Sequence, residues 1–214
     1  MSTEGIWSDL RHACRALAGM PMLAAVVVGS LAVGIGVNTV VFSWVQALVL
    51  RPLPGVASSS DVHLVEARTE TGARPGASWP EYEDLREALR PTTDLVAFRM
   101  VPLNVGETTR NERAYGLLVS DNYFSVLGLT PAAGRFPTPA EMSRGGGADV
   151  VVISHDFWQA KLGARPGAVG QTLRANDRAL TVVGVTPEGF QGTIMGLQFD
   201  LWVPATLAPA LLAG

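Results

Sequence analysis

The sequence predicts an α+β protein, in which one transmembrane helix precedes a mixed α/β domain of short helices and β-hairpins. Three observations carry this expectation. No charged side chain occurs from Ala16 to Leu50, a run long enough for a bilayer-spanning helix. Beyond it, strand-like and helix-like patterns alternate in short stretches bounded by turn residues. Charged residues make up 16% of the 214, low for a wholly soluble chain and high for a many-spanning one. From Arg51 onward, 14 basic and 17 acidic side chains are interspersed, which leaves no basic footprint for nucleic acid. Cys14 is the only cysteine, so the domain relies on its core rather than on an intrachain disulfide.

Residues 1–19 place Ile6, Trp7, Leu10, Ala13, Cys14 and Leu17 at helical spacing, with Asp9, Arg11, His12 and Arg15 largely elsewhere on the wheel. This is the pattern of an amphipathic helix lying in the membrane interface; a plain helical extension of the span is the alternative. Residues 20–50 form the span, about 46 Å if fully helical. A secretory signal would have a shorter apolar region, of roughly 7–15 residues. Arg11 and Arg15 before the span, against Arg51 after it, lean towards a cytoplasmic N-terminus.

Within the span, Ala25, Gly29, Ala32, Gly36, Thr39, Ser43 and Ala47 fall within roughly 40° of one line at 100° per residue. Ser30, Gly34 and Asn38 lie on nearly the opposite side. Small residues let helices approach closely in lipid, and an intramembrane Asn needs a hydrogen-bond partner. These ten residues are the candidate helix-packing positions, unless the Gly and Ala content of the chain simply places them there.

Residues 51–60 (RPLPGVASSS) read as a linker, and residues 61–206 as the core domain. DVHLVEAR at 61–68 alternates as a strand would. Ser78 with Glu81 forms a capping box that starts a helix, with Pro80 tolerated in the first turn. LVAFRM and the segment Arg113 to Val119 read as strands, with VGET between them as turn material. SDNYFSVLG is a short helix ending at Gly128, TPAE at 138–141 a second capping-box start, and RGGGAD a flexible loop. DVVVIS is a continuous apolar run, as in a fully buried strand, and feeds the helix HDFWQAKLG. QTLRA and ALTVVGV flank Asn176 and Asp177 as a hairpin, and DLWVP is a last strand.

No catalytic, cofactor or metal site emerges. Ser154, His155 and Asp156 are adjacent on a strand-to-helix turn and cannot converge as a triad; Ser154 is more simply an N-cap and Asp156 a first-turn acid. His12, His63 and His155 lack metal-ligand spacing with one another or with Cys14. Glu81, Glu83, Asp84 and Glu87 read as a solvated helix face. Gly34-Ile35-Gly36 has neither the preceding strand nor the third glycine of a dinucleotide loop. No GxxxxGK[ST] occurs, so the chain carries no P-loop for ATP.

Taken in order, DLRHACRAL, LAVGIGVNTVVFSWVQALVLRPLP, SWPEYEDLRE, VSDNYFSVLGLTPAAGRFPTPAE, VVVISHDFWQAKLG and GQTLRANDRALTVVGVTPEGF with DLWVP resemble the N-terminal part of MacB-like ABC transporter permeases, in the orphan-permease group of the FtsX superfamily. The resemblance implies a first transmembrane helix and a periplasmic core domain, in the cell inner membrane with a cytoplasmic N-terminus. It further implies a permease that transmits the motion of a separate ABC ATPase subunit to the periplasmic side for efflux or release of substrate. The implied partners are membrane lipid, that ATPase, further permease helices or a second permease copy in a homodimer, and a periplasmic adaptor. No cofactor and no enzymatic activity are implied. Residues 207–214 are too few to span, so the chain is expected to be a truncated product or a first exported module. The alternative function is a membrane-anchored periplasmic binding or scaffold module without transport activity.

Overall fold

The computed structural model describes residues 12, 19–46, 55–56, 61–65, 68–69, 72–73, 76–107, 110–143 and 148–212. Most of the expected interfacial helix, residues 47–50 of the expected span, most of the 51–60 linker and the glycines of RGGGAD lie outside the described residues. The chain divides into two units, Met1–Arg51 and Pro52–Gly214.

The first unit holds α1, Pro21–Val45. Pro21 stands at its first position, where a missing N–H costs nothing. Its 25 residues rise about 38 Å, enough to cross a hydrocarbon core. None of them is buried by the rest of the described chain, which for a run of Val, Leu and Ile suits surroundings of lipid rather than water.

The second unit begins with a two-residue hairpin, β1 (Arg68–Thr69) and β2 (Gly72–Ala73). Residues 62–65 form no strand, in contrast to the alternation read there. Val62 packs against the core, but Leu64 and Val65 are 71% and 59% exposed; an alternating pattern with one buried residue cannot recruit a partner strand. Helix α2 (Trp79–Leu89) starts on the expected capping box, Ser78 Oγ accepting from Glu81 N while Glu81 Oε2 accepts from Ser78 N at 2.7 Å. Arg86 pairs with Asp121 at 2.8 Å and Tyr82 is buried, fixing α2 to the start of the third helix, α3 (Tyr123–Val126).

The main sheet has seven strands: β3 (Phe98–Glu107), β4 (Arg110–Val119), β5 (Ala133–Gly134), β6 (Val150–Ile153), β7 (Thr172–Ala175), β8 (Arg178–Val185) and β9 (Leu201–Pro204). Their order is β5-β8-β6-β9-β4-β3-β7, and β7 also pairs with β8, so six strands close into a ring. All six contribute to one core: Val101 and Leu103 from β3, Leu118 from β4, Ile153 from β6, Ala175 from β7, Leu180 from β8 and Leu201 from β9, plugged by Phe157, Leu207 and Leu211. The opposite faces of β4, β6, β8 and β9 form a second core with Tyr123, Phe124, Phe190 and Phe199 around Trp202. Burial on both faces is why VVVI and LWVP are continuous apolar runs rather than alternating ones.

The β3–β4 hairpin is longer than the sequence suggested. It pairs from Phe98↔Val119 to Glu107↔Arg110, so VGE, read as turn material, is strand. The strand runs through Pro102, a residue that lacks a ladder donor and is ordinarily confined to strand edges. Here Asn104 turns its N–H and C=O to Asn176, away from β4. By alternation, Pro102 also faces away from β4, and its missing N–H removes no rung of the hairpin.

Other punctuation holds. Helix α4 (His155–Leu162) is capped by Ser154, whose Oγ accepts from Phe157 N at 2.9 Å, and stops at Gly163 with φ +63°. Asn176 and Asp177 adopt φ of +46° and +63° in the β7–β8 turn, as a two-residue hairpin of this hand requires. The capping box at Thr138 forms too, with Glu141 Oε2 accepting from Thr138 N at 2.8 Å, yet only turns follow. Three glycines lie shortly beyond Ser143, and a cap cannot propagate a helix into residues that oppose it. The region Ser120–Gly128 likewise yields only the four residues of α3.

Asn176 does more than turn the chain. Its Oδ1 accepts from Asn104 N at 2.8 Å, as a strand carbonyl would, and its Nδ2 donates to Leu211 O at 2.9 Å in helix α5 (Ala208–Leu211). Asn176→Gly preserves the turn but removes both bonds, and is expected to destabilise the domain by about 1–2 kcal/mol. Asn176→Ala adds the strain of a positive φ, of about 1 kcal/mol. Denaturant melts of the two variants, read against the native chain, check the order Asn > Gly > Ala.

Candidate functional site

The described candidate packing residues lie on α1 and keep their predicted faces, while Ala47 is outside the described residues. Ala25, Gly29, Ala32, Gly36, Thr39 and Ser43 share one side of a regular helix, and Ser30, Gly34 and Asn38 the other. A Cβ built on Gly29, Gly34 or Gly36 meets nothing within 4 Å, so both faces are open to a neighbour. Thr39 Oγ1 donates to Ile35 O at 2.8 Å, which satisfies the hydroxyl inside its own helix and leaves the stripe apolar outward. Asn38 has no such closure among the described residues.

In the second unit, the apparent Ser-His-Asp sequence is dispersed. Ser154 Oγ caps α4, the His155 ring sits edge-on to Trp158 with centroids 5.6 Å apart, and Asp156 Oδ2 accepts from Gln198 Nε2 at 2.6 Å. The acidic face of α2 is similarly committed: Glu81 caps, Glu83 accepts from Trp79 Nε1 at 2.7 Å, and Glu87 pairs in solvent with Arg90. No group of three His, Cys, Asp or Glu able to hold a metal ion occurs among the described residues.

Sequence reading missed one concave surface, a groove of about 350 Å³ between the β3–β4 hairpin and α4. Val105, Phe157 and Leu173 form its apolar floor, and Lys161 pairs with Glu112 at its edge. Burial pushes the Asp200 carboxyl up; the Tyr115 backbone N–H, at 3.4 Å, and Lys161 oppose that, while Asp156 adds to it. These residues come from segments as far apart as Val105 and Asp200, and no local spacing could have grouped them. The groove offers shape and charge but no nucleophile paired with a base.

A second charged cluster stabilises rather than reacts. Glu141 receives both Arg135 Nη atoms at 2.7 Å and the Thr138 N–H, and these bonds, Arg135 first, hold its carboxyl down at about 2 against an ordinary 4.5. A depressed carboxylate stabilises the fold above its unfolded pKa and loses that contribution as pH falls. Glu141→Gln is therefore expected to cost about 1–2 kcal/mol at neutral pH, discounted because Arg135 is 54% exposed. The difference from the native chain should vanish between pH 4.5 and about 2, measured by thermal melts across that range.

The sequence profile of the MacB-like periplasmic core domain matches residues 24–213, covering most of α1 and the closed sheet. The chain belongs to the MacB-like periplasmic core domain family. Among solved structures, this MacB-like chain is similar to the extracellular domain of the noncanonic ABC-type transporter YknZ from Gram-positive bacteria, at 18% identity and a TM-score of 0.45, over 56% of this chain and 58% of that one. It is also similar to the periplasmic region of MacB from Actinobacillus actinomycetemcomitans, at 18% identity and a TM-score of 0.49, over 62% and 59% of the two chains. The chain thus spans less than two thirds of the length of either. No curated protein matches it.

Proposed function

We propose that this chain is the permease component of a MacB-like ABC transporter, or its N-terminal module. In this reading the N-terminus is cytoplasmic, α1 crosses the inner membrane, and the core domain is periplasmic. A separate ABC ATPase drives movement of the membrane helices, and the core domain carries that movement to the far side for efflux or release of a substrate. The single observation that carries the reading is the family match over residues 24–213, which takes in α1 together with the domain. The open small-residue faces of α1 and the unsatisfied Asn38 support it, because a tether needs neither while a packed helix bundle uses both. The substrate-handling surface in this reading is the domain exterior, and the chain itself performs no chemistry.

The test is co-purification. A tagged chain, expressed from its native locus with the genes on either side, should bring down an ABC ATPase and additional permease spans from detergent-solubilised membranes. A locus that encodes neither, or an ATPase that does not co-purify, would overturn the proposal.

A further inference from the structure

Strand β3 is the place where the closed ring leaves a gap. Its register with β7 consists of Val105↔Ala175, and Asn176 adds one further link at Asn104. From Phe98 to Leu103 no strand among the described residues lies on the side of β3 away from β4. The residues whose backbone groups point to that side follow from Asn104 by steps of two: Pro102, Met100 and Phe98. Independent bonds fix the same alternation from the opposite strand, since Tyr115, paired with Pro102, also directs its N–H and C=O away from the hairpin, to Asp200. Met100 is 46% exposed, and its outward N–H and C=O have no partner among the described residues.

An open edge of this length is a template for another strand. Two copies could meet edge to edge about a two-fold axis at Met100, with residue 98 of one opposite residue 102 of the other and about six hydrogen bonds between them. Pro102 stands at one of the three outward positions. It removes one donor from each copy, and its ring occupies the space a partner carbonyl would need. Arg99 adds to this, placing an exposed charge on the row that continues inward as Val101, Leu103 and Val105. We infer that Pro102 is an edge guard, which keeps β3 from pairing with β3 of a second copy.

The position of the proline is what makes this specific. Any of Phe98, Met100 and Pro102 can lose its N–H without cost to the β3–β4 ladder, whereas Arg99, Val101 and Leu103 cannot. The experiment uses the full chain in detergent micelles, with light scattering after size exclusion over a range of concentrations and far-UV circular dichroism as the check on fold. Pro102→Val is expected to strengthen self-association by on the order of tenfold or more, through the restored donors and the removed ring. Moving the guard along the same edge, in the double variant Pro102→Val with Met100→Pro, should return association to the native level. Unchanged association of a folded Pro102→Val chain would overturn the inference. So would association that Met100→Pro fails to reverse, because the contact would then lie elsewhere. Should Pro102→Val lose its native spectrum, Pro102→Ala, which restores the N–H with a smaller side chain, decides between the same two outcomes.

Discussion

Gly184→Ala is expected to destabilise the core domain by about 3 kcal/mol. Gly184 lies on β8 opposite Gly134 of β5, beside a register shift where β6 steps from Val182 to Gly184. A Cβ there would sit 2.2 Å from Arg135 O and 2.9 Å from Arg135 C. Those are backbone atoms, held by the bond from Arg135 N to Val183 O at 2.9 Å. Relief therefore requires β5 to separate from β8, so the cost includes both overpacking and lost ladder bonds. For a domain of this size that corresponds to a fall in melting temperature of roughly 6–12 °C. Gly167→Ala is the control, since nothing lies within 4 Å of its Cβ, and it should melt with the native chain. Tryptophan fluorescence on heating reads both, because Trp202 is 1% exposed in the second core. Equal melting of the two variants would show that the approach of Arg135 is looser than the structure has it.

Gly29→Leu combined with Gly36→Leu is expected to abolish assembly with other permease helices while leaving membrane insertion intact. Both substitutions raise apolarity, so insertion improves if anything. Both also raise two knobs on the stripe, where a neighbouring backbone would have to retreat. In the transporter reading, co-purification of partner spans should fall on the order of tenfold or more, and transport with it. An anchored binding or scaffold module would show no change in either, which makes this pair the sharpest discriminator between the two. Moving the leucines to Val28 and Val33, off both small faces, should leave assembly at the native level.

Local chemistry made much of the fold legible. Ser78 with Glu81, Ser154 with Gly163, and Asn176 with Asp177 are each complete within a few residues, so the elements they bound were readable without any tertiary information. The misreadings share a different origin. Whether VGE is turn or strand depends on how far β3 and β4 stay paired, and β3 is held there on its other side by β7, some seventy residues later. Thr138 and Glu141 make a genuine cap, but the helix it should start is refused by the residues beyond it. Val62 and Leu64 alternate with Asp61 and His63, yet no partner strand pairs with them among the described residues. On α1, periodicity alone sorted the small residues into two faces, because a helix wheel needs no neighbour. The groove beside α4 was invisible for the opposite reason: Glu112, Lys161 and Asp200 meet only after the ring has closed.

That ring is fastened unevenly. Ten successive residue pairs hold β3 to β4, whereas the junction of β3 with β7 is one register pair and the two bonds of Asn176. A closed band with one slender clasp distributes load over its whole circumference while the clasp is shut, and becomes an open, pliable sheet when it parts. The domain therefore has a built-in place to yield. Mechanical or thermal stress should unfasten it at Asn104 and Asn176 first, well before β4, β6 and β9 at its back lose their registry.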